Sequence, residues 1–253
     1  MATPRFYCAH LAPGIVELDE AESGHALGSL RLRPGDEVIL FDGRGRVAHA
    51  NLLPQPTANG KRARIPRTAG RRTARLEVAR VLCEPPPQRT LTLIAAGCKG
   101  PRLTWMVEKL TELATTAILL VNFERSVVRV GPAHADRLRR TALQAAKQSQ
   151  RAWLPQIACG ADPADTLRDH SDALLLVAHP GSDSVSLTAA LHRSVVHPDV
   201  VAIVGPEGGL TEAEIDYLRS HAGILVRLAP TILRVETAAV AIAANWAAHQ
   251  PAP

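Results

Sequence analysis

The sequence predicts an α/β protein with a small β-rich N-terminal part and a larger C-terminal part built on a parallel sheet. Short strand-like segments separated by turns fill the first third of the chain. The run Pro85-Pro86-Pro87 then interrupts any regular structure, and continuous apolar segments alternate with helical patterns after it. Such alternation is typical of a parallel sheet covered on both faces. We therefore expect one domain over residues 1–84 and a second over 88–253.

The N-terminal part shows strand and turn signals at close intervals. Residues 37–41 lie between a turn at 33–36 and a glycine-rich turn at 42–45, and residues 47–53 form the expected return strand. Residues 76–81 alternate apolar and polar side chains, as a half-buried strand does. Several short strands separated by turns predict a small β-barrel.

The charge pattern makes nucleic acid one candidate partner. The net charge is +5, and residues 61–75 carry seven basic side chains and no acidic one. Such a loop suits contact with phosphates, although a loop that is merely solvated has the same composition.

Several function classes lose support. The cysteines lack the C-x-x-C spacing of zinc or redox sites, so no metal is expected. No apolar run is long enough for a membrane span and no signal peptide opens the chain, so we expect a soluble cytoplasmic protein. Neither a P-loop nor a G-x-G-x-x-G fingerprint occurs, which weakens the hypothesis of a nucleotide-dependent dehydrogenase.

The C-terminal part predicts a series of apolar strands and amphipathic helices. A helical pattern covers 103–113 and a longer one covers 136–151. A helix rich in alanine closes the chain. The predicted strands lie at 91–96, 118–121, 173–178, 200–204 and 224–228.

Each of the last three predicted strands ends in an unusual loop. The loops are 179–182 (HPGS), 205–209 (GPEGG) and 229–234 (APTILR). Ligands of open α/β sheets bind outside the carboxyl ends of the strands, so these loops predict a pocket. Thr211 and Glu214 form a capping box that predicts a helix directly after the glycines.

The glycine loop by itself leaves its role open. Glycines before a helix leave N–H groups free for an anion or for an adenine edge, but the charge of Glu207 would repel a phosphate. A Gly-Pro-x-Gly-Gly segment can equally be a structural turn.

Several segments together resemble the RsmE family. GPEGGL at 205–210 and LAPTILRVETA at 228–238 resemble its paired signature. Further matches are Lys99-Gly100 with 108–113 (EKLTEL), 124–126 (ERS), 148–151 (QSQR) with Leu154-Pro155, 5–7 (RFY), His25, Leu30-Arg31 and 34–36 (PGD). The resemblance spans nearly the whole chain.

The resemblance implies an enzyme that transfers a methyl group from S-adenosylmethionine to N3 of a uridine in 16S ribosomal RNA. It implies a PUA-like β-barrel that binds RNA over 1–84, and a SPOUT α/β domain with a trefoil knot over 88–253. It also implies a homodimer with the cofactor site near its interface. The expected partner is 16S ribosomal RNA or the small ribosomal subunit, without DNA, membrane or metal.

The chemistry of this reaction leads us to expect a set of site residues. Arg234 is expected to stabilise the N3 anion, and Glu207 or Glu236 to accept the proton. The cofactor would be bound by Val177, His179, Pro180, Val204, Gly205, Glu207, Gly208, Leu228, Ala229, Leu233, Arg234 and Thr237. The RNA would be bound by Arg5, Arg31, Arg33, Lys99, Arg125 and Arg151, together with the 61–75 loop.

Five positions depart from the usual residues of the family. Ala229 and Ala114 replace glycine, Thr231 replaces arginine, Val235 replaces threonine, and Lys147 replaces glutamate. Ala229 adds a methyl group beside the expected cofactor, and Thr231 removes a charge. Two other functions therefore stay open: a SPOUT enzyme acting on another RNA such as transfer RNA, and a non-catalytic RNA-binding protein with a decayed cofactor pocket.

Overall fold

The computed structural model describes residues 3–55, 73–168, 170, 172–192 and 198–250. The chain divides into two compact units. The first holds the residues up to Pro86 together with 147–153, and the second holds 87–146 and the residues from 154 onward. Residues 61–72, most of the predicted basic loop, lie outside the described residues.

The first unit is built on a mixed sheet. Its elements are β1 (Arg5–Tyr7), β2 (Gly14–Glu17), α1 (Glu20–Gly24), a π-helical turn (His25–Ser29), β3 (Glu37–Phe41), β4 (Arg46–Leu52), β5 (Arg75–Val78) and β6 (Leu82–Cys83). The described strands follow the order β1-β3-β4-β5-β2, with β6 paired to β4, and only the β1–β3 pair is parallel. The predicted hairpin is confirmed, because β3 and β4 pair antiparallel with Ile39 opposite His49.

A buried ion pair lies in this unit. Lys147 Nζ lies 2.9 and 2.8 Å from the two carboxylate oxygens of Glu22, and both side chains are almost fully buried. Lys147 is one of the departures from the family pattern. Its buried carboxylate partner gives a physical reason for a cation at this position, since an unpaired buried charge is costly.

The second unit is built on a parallel sheet, as predicted. Its elements are β7 (Thr90–Ala96), α2 (Pro101–Glu112), β8 (Ala117–Val121), α3 (Ala135–Ser149, of which residues from Lys147 onward belong to the first unit), β9 (Gln156–Ala161), α4 (Pro163–Arg168), β10 (Leu174–Ala178), β11 (Val185–Ser186), α5 (Leu187–Leu191), β12 (Asp199–Val204), α6 (Glu212–Ser220), β13 (Ile224–Arg227) and α7 (Val235–Ala248). The strands follow the order β11-β13-β10-β12-β7-β8-β9, and every described pair is parallel.

The apolar strands are buried on both faces of this sheet. Along β7, Leu91, Leu93 and Ala95 belong to one hydrophobic cluster, whereas Ile94 and Ala96 belong to another. Helices α2, α3, α5 and α7 supply the first cluster, and α4 and α6 supply the second. Side chains alternate between faces along a strand, so an uninterrupted apolar segment reflects cover on both sides.

The structure differs from the sequence expectations at several boundaries. Strand β5 ends at Val78 rather than at residue 81, and α3 ends at Ser149. Gln150 adopts a φ of 62°, a left-handed conformation that stops the helix two residues early. Strand β9 was not predicted, because this edge strand is buried at only two of its six positions and lacks an apolar run. Within the described ranges, no helix has the length and apolarity that a membrane crossing needs.

Candidate active site

Three neighbouring strands end at one level of the sheet. Ala178 of β10 pairs with Val204 of β12 and with Val226 of β13. Adjacent strands lie roughly 4.8 Å apart, so the loops that follow leave the sheet within a width of about 10 Å. The sheet register therefore brings together the three loops that the sequence singles out.

The loop after β12 is so tightly packed that a side chain at either of two glycines would lie too close to a neighbouring side chain. A Cβ at Gly205 would lie 2.9 Å from Leu210 Cγ, and a Cβ at Gly208 would lie 3.3 Å from Arg125 Cβ. Gly209 has a φ of 74°, and its N–H donates to the carbonyl of Pro206 at 2.8 Å. The glycines thus serve the packing and the turn of the loop itself.

Helix α6 begins directly after these glycines. The N–H of Glu214 donates to Thr211 Oγ1 at 3.2 Å, and the N–H of Thr211 donates to Glu214 Oε2 at 2.8 Å. These two bonds are the predicted capping box, which the structure confirms. Glu207 lies exposed in the loop before this helix, so its carboxylate is open to a ligand.

The loop after β10 is fixed by hydrogen bonds to its neighbours. The N–H of His179 donates to the carbonyl of Val226 at 3.0 Å, and Ser184 Oγ donates to the carbonyl of His179 at 2.9 Å. Pro180 is exposed beside them. The side chains of Val177 and Val204 are buried in the core, so these two predicted cofactor residues present only main-chain atoms.

The loop after β13 has a buried base and an exposed tip. Leu228 and Leu233 pack against the core, and Ala229 is half-buried. Ile232 at the tip is 86% exposed. The other exposed side chains of this segment are Pro230, Thr231, Arg234 and Thr237.

Arg234 is the N-cap residue of α7, and its side chain makes no capping hydrogen bond. Its carbonyl accepts the N–H of Ala238 at 2.8 Å. The guanidinium is therefore exposed at the start of a helix, next to the loops.

Glu236 provides a buried carboxylate one residue further along α7. The residue is 6% exposed, and Arg102 Nε lies 3.6 Å from Glu236 Oε1. Glu236 Oε2 is buried and finds no hydrogen-bond partner among the described residues. A buried carboxylate oxygen without a donor is costly, so it suits a ligand that brings a proton or a positive charge.

Two of the predicted catalytic carboxylates affect the pKa of Cys98. This buried thiol follows β7, the strand beside β12. Burial, together with smaller contributions from the charges of Glu236 and Glu207, raises the pKa of Cys98 to about 11. Both carboxylates therefore act on one thiol at this edge of the sheet. The sequence missed Cys98 and Arg102, because no local pattern links either residue to α7.

Some of the residues predicted to bind RNA are exposed, whereas others make contacts within the protein. Arg31 and Arg33 in the first unit and Lys99 in the second are exposed. Arg5, by contrast, is held by its own unit: its Nη2 donates to the carbonyl of Arg151 at 2.9 Å, and its guanidinium lies 4.7 Å from the ring centre of Phe41.

Burial affects the two arginines of this contact. It lowers the pKa of Arg5 and lowers the pKa of Arg151 to about 10. Arg125 is exposed in the second unit, and its Nη1 donates to carbonyls of the glycine loop.

Among the described residues, no group of three or more His, Cys, Asp or Glu side chains could hold a metal ion.

Comparisons with known proteins agree with this arrangement. The family model described as an RNA methyltransferase domain matches residues 84–247, and the one described as an RNA methyltransferase PUA domain matches 18–53. The ribosomal RNA small subunit methyltransferase E of Mycobacterium bovis is 31% identical over 236 residues, which cover 89% of this chain and 83% of that protein. The protein of the same name from Bacillus subtilis is 36% identical over 57% of this chain and 60% of its own.

Solved structures extend the likeness to the fold. The ribosomal RNA small subunit methyltransferase E of Neisseria gonorrhoeae, bound to S-adenosylmethionine, shares 28% identity over 96% of each chain with a TM-score of 0.78. A Legionella pneumophila protein in complex with the same cofactor shares 25% identity over 98% of each chain with a TM-score of 0.81. The chain therefore belongs to the ribosomal RNA small subunit methyltransferase E family of RNA methyltransferases.

Proposed function

We propose that this protein transfers a methyl group from S-adenosylmethionine to N3 of a specific uridine in the 16S ribosomal RNA of the small subunit. The observation that carries this proposal is the match over 96% of both chains to a family member bound to S-adenosylmethionine. The three loops at the carboxyl ends of β10, β12 and β13 support it, because ligands of α/β sheets bind at this edge.

The residues present fit the cofactor. S-adenosylmethionine carries a sulfonium and an amine, and Glu207 presents an exposed carboxylate from the glycine loop, which suits a positively charged ligand. Main-chain groups of Gly205, Gly208 and Leu228 would bind adenine and ribose. Side chains and main chain around them would complete the pocket, at Val177, His179, Pro180, Val204, Glu207, Ala229, Leu233, Arg234 and Thr237. The bound cofactor supplies an electrophilic methyl group.

The protein must also activate the uridine. N3 is a weak nucleophile while it carries its proton, so a base must accept that proton or a cation must stabilise the anion. We assign proton acceptance to Glu236, because its Oε2 is buried and lacks a partner among the described residues. Glu207 is the second candidate, since its carboxylate is exposed in the glycine loop. Arg234 would stabilise the anion, together with the positive end of α7.

Part of this proposal concerns architecture and assembly. We assign residues 1–84 to a PUA-like β-barrel that binds RNA, and 88–253 to a SPOUT domain with a trefoil knot and the cofactor site. The match of the PUA model to 18–53 supports the first assignment. A homodimer would cover large apolar side chains that one chain exposes, such as Trp105 and Ile232. We also propose a cytoplasmic protein, because ribosomal RNA is the proposed substrate.

The decisive experiment maps methylated nucleotides of ribosomal RNA by mass spectrometry in a strain that lacks the gene. We expect one 16S uridine to lose its N3 methyl group and to regain it on complementation with the wild type. Complementation with Glu236→Gln should fail. Loss of a methyl group from transfer RNA instead would favour the other SPOUT function. Calorimetry that shows no binding of S-adenosylmethionine would favour an RNA-binding protein with a decayed pocket.

A further inference from the structure

The segment 122–130, between β8 and α3, forms a closed loop at the carboxyl edge of the sheet. The side chain of Asn122 closes it: Nδ2 donates to the carbonyl of Val130 at 2.8 Å, and Oδ1 accepts the N–H of Val130 at 2.9 Å. Within the loop, Val128 pairs with Gly97 directly after β7. The loop is thus anchored at both ends and at the neighbouring strand, which makes it a firm support for what it touches.

The tip of this loop contacts the glycine loop after β12. The N–H of Glu124 donates to Glu214 Oε1 at 2.9 Å, so the tip is bonded to the capping box of α6. Arg125 Nη1 donates to the carbonyl of Gly208 at 3.3 Å and to that of Leu210 at 3.4 Å. The absence of a side chain at Gly208 permits this approach, because a Cβ there would already lie 3.3 Å from Arg125 Cβ.

The guanidinium of Arg125 retains free donors. Arginine has five N–H groups in a planar fork, and Nη1 carries only two of them. Among the described residues, neither Nε nor Nη2 of Arg125 makes a hydrogen bond, and the side chain is exposed. The Nε and Nη2 edge matches two oxygens of a phosphate.

We propose that Arg125 is a positioning residue that couples RNA binding to cofactor binding, with one edge on the glycine loop and the other on an RNA phosphate. This inference rests on the proposed function. The two bonds to the loop are long and weak without RNA. A phosphate on the opposite edge holds the guanidinium in place, so the carbonyls of Gly208 and Leu210 stay bonded and the cofactor loop keeps its shape. Coupling of this kind is reciprocal, so the cofactor must tighten RNA binding by the same factor.

The test measures binding of S-adenosylhomocysteine to the full-length protein by calorimetry, with and without a 16S RNA fragment that contains the target uridine. The variants are Arg125→Ala and Arg125→Lys. Arg129→Ala is the matched control, because Arg129 is exposed in the same loop and none of its described contacts reaches the glycine loop. We expect RNA to tighten cofactor binding to the wild type and to Arg129→Ala about fivefold or more, as allosteric couplings typically do.

Arg125→Ala should bind the cofactor more weakly without RNA and lose the gain that RNA provides. Arg125→Lys should retain part of the RNA affinity but not the gain, since lysine cannot bridge both partners with a planar fork. Hydrogen exchange of residues 206–211 without any ligand should be faster in Arg125→Ala than in the wild type. A urea unfolding curve like that of the wild type would show that the variant is folded.

Two outcomes would overturn the inference. If Arg125→Ala loses RNA affinity but keeps the wild-type cofactor affinity with and without RNA, then Arg125 is only a phosphate contact. If hydrogen exchange of 206–211 does not change, Arg125 does not hold the glycine loop. A wild-type protein that binds no S-adenosylhomocysteine would instead refute the proposed function. The hydrogen-exchange experiment would still show whether Arg125 stabilises the glycine loop.

Discussion

The Glu22–Lys147 ion pair allows a quantitative test of stability in the first unit. Lys147 Nζ contacts both oxygens of Glu22, and the two side chains are only 10% and 5% exposed. The ammonium also lies 5.3 Å from the ring centre of Phe6, and the N–H of Tyr7 donates to Glu22 Oε2 at 3.4 Å. If one of the two residues is replaced by an uncharged one, water therefore has little access to the charge that remains.

The perturbation is Lys147→Met, which keeps a long side chain but leaves the Glu22 carboxylate buried without its cation. Removal of one member of a buried pair costs about 3–5 kcal/mol. With a urea dependence of about 2 kcal/mol per M, the unfolding midpoint should fall by about 2 M. The variant Glu22→Gln/Lys147→Met should lose less stability than the two single variants together, since it buries no unpaired charge.

The assay is urea unfolding followed by circular dichroism, with the exposed Lys99→Met as the control. We expect the control to unfold within about 0.5 kcal/mol of the wild type, as surface substitutions usually do. A Lys147→Met midpoint equal to that of the control would show that the buried pair does not stabilise the unit, contrary to this prediction. Single-variant losses that simply add in the double variant would also refute it, because they would show that the two charges do not interact.

Three further predictions concern the site and its chemistry. Glu236→Gln should lower kcat by about 100-fold or more, as loss of a general base does, and an unchanged kcat in a methyl-transfer assay would exclude Glu236 from that role. Cys98 should react with iodoacetamide about 100-fold more slowly than free cysteine at pH 8, because a pKa of about 11 instead of the ordinary 9.0 leaves about 1% as much thiolate. Its labelling, followed by mass spectrometry of peptides, should accelerate as the pH rises toward 11, and a rate at pH 8 equal to that of free cysteine would contradict this. RNA affinity should fall steeply with salt concentration, and a flat response in a binding titration would contradict a phosphate-rich interface.

The pKa of Cys98 also makes a statement about stability. The folded state keeps the proton to higher pH than the unfolded state does, so its contribution is fully present below about pH 9 and is lost as the pH rises toward 11. Cys98→Ala should make the alkaline loss of stability less steep. Calorimetric unfolding at pH 8 and pH 10 measures the difference.

Much of the fold could be predicted because its signals are local. The uninterrupted apolar segment 91–96 predicts a strand buried on both faces, and in the structure its side chains alternate between two hydrophobic clusters. The parallel sheet predicted from such segments is confirmed. The capping box of Thr211 and Glu214 likewise involves residues three positions apart. Strand β9 escaped prediction because an edge strand buries few side chains and so leaves little pattern in the sequence.

The site shows the same division between local and long-range information. Local patterns identify which loops follow the strands, which residues those loops contain and, through the matching segments, the family. The contacts between distant residues exist only in the folded chain: Glu236 Oε2 is buried beside Arg102, Arg125 donates to the carbonyls of Gly208 and Leu210, and Lys147 pairs with Glu22. These partners are far apart in the chain and are brought together by the register of the strands and the packing of the helices. A pattern of neighbouring residues carries no signal for such pairs, because their energy depends on burial and geometry that exist only after folding.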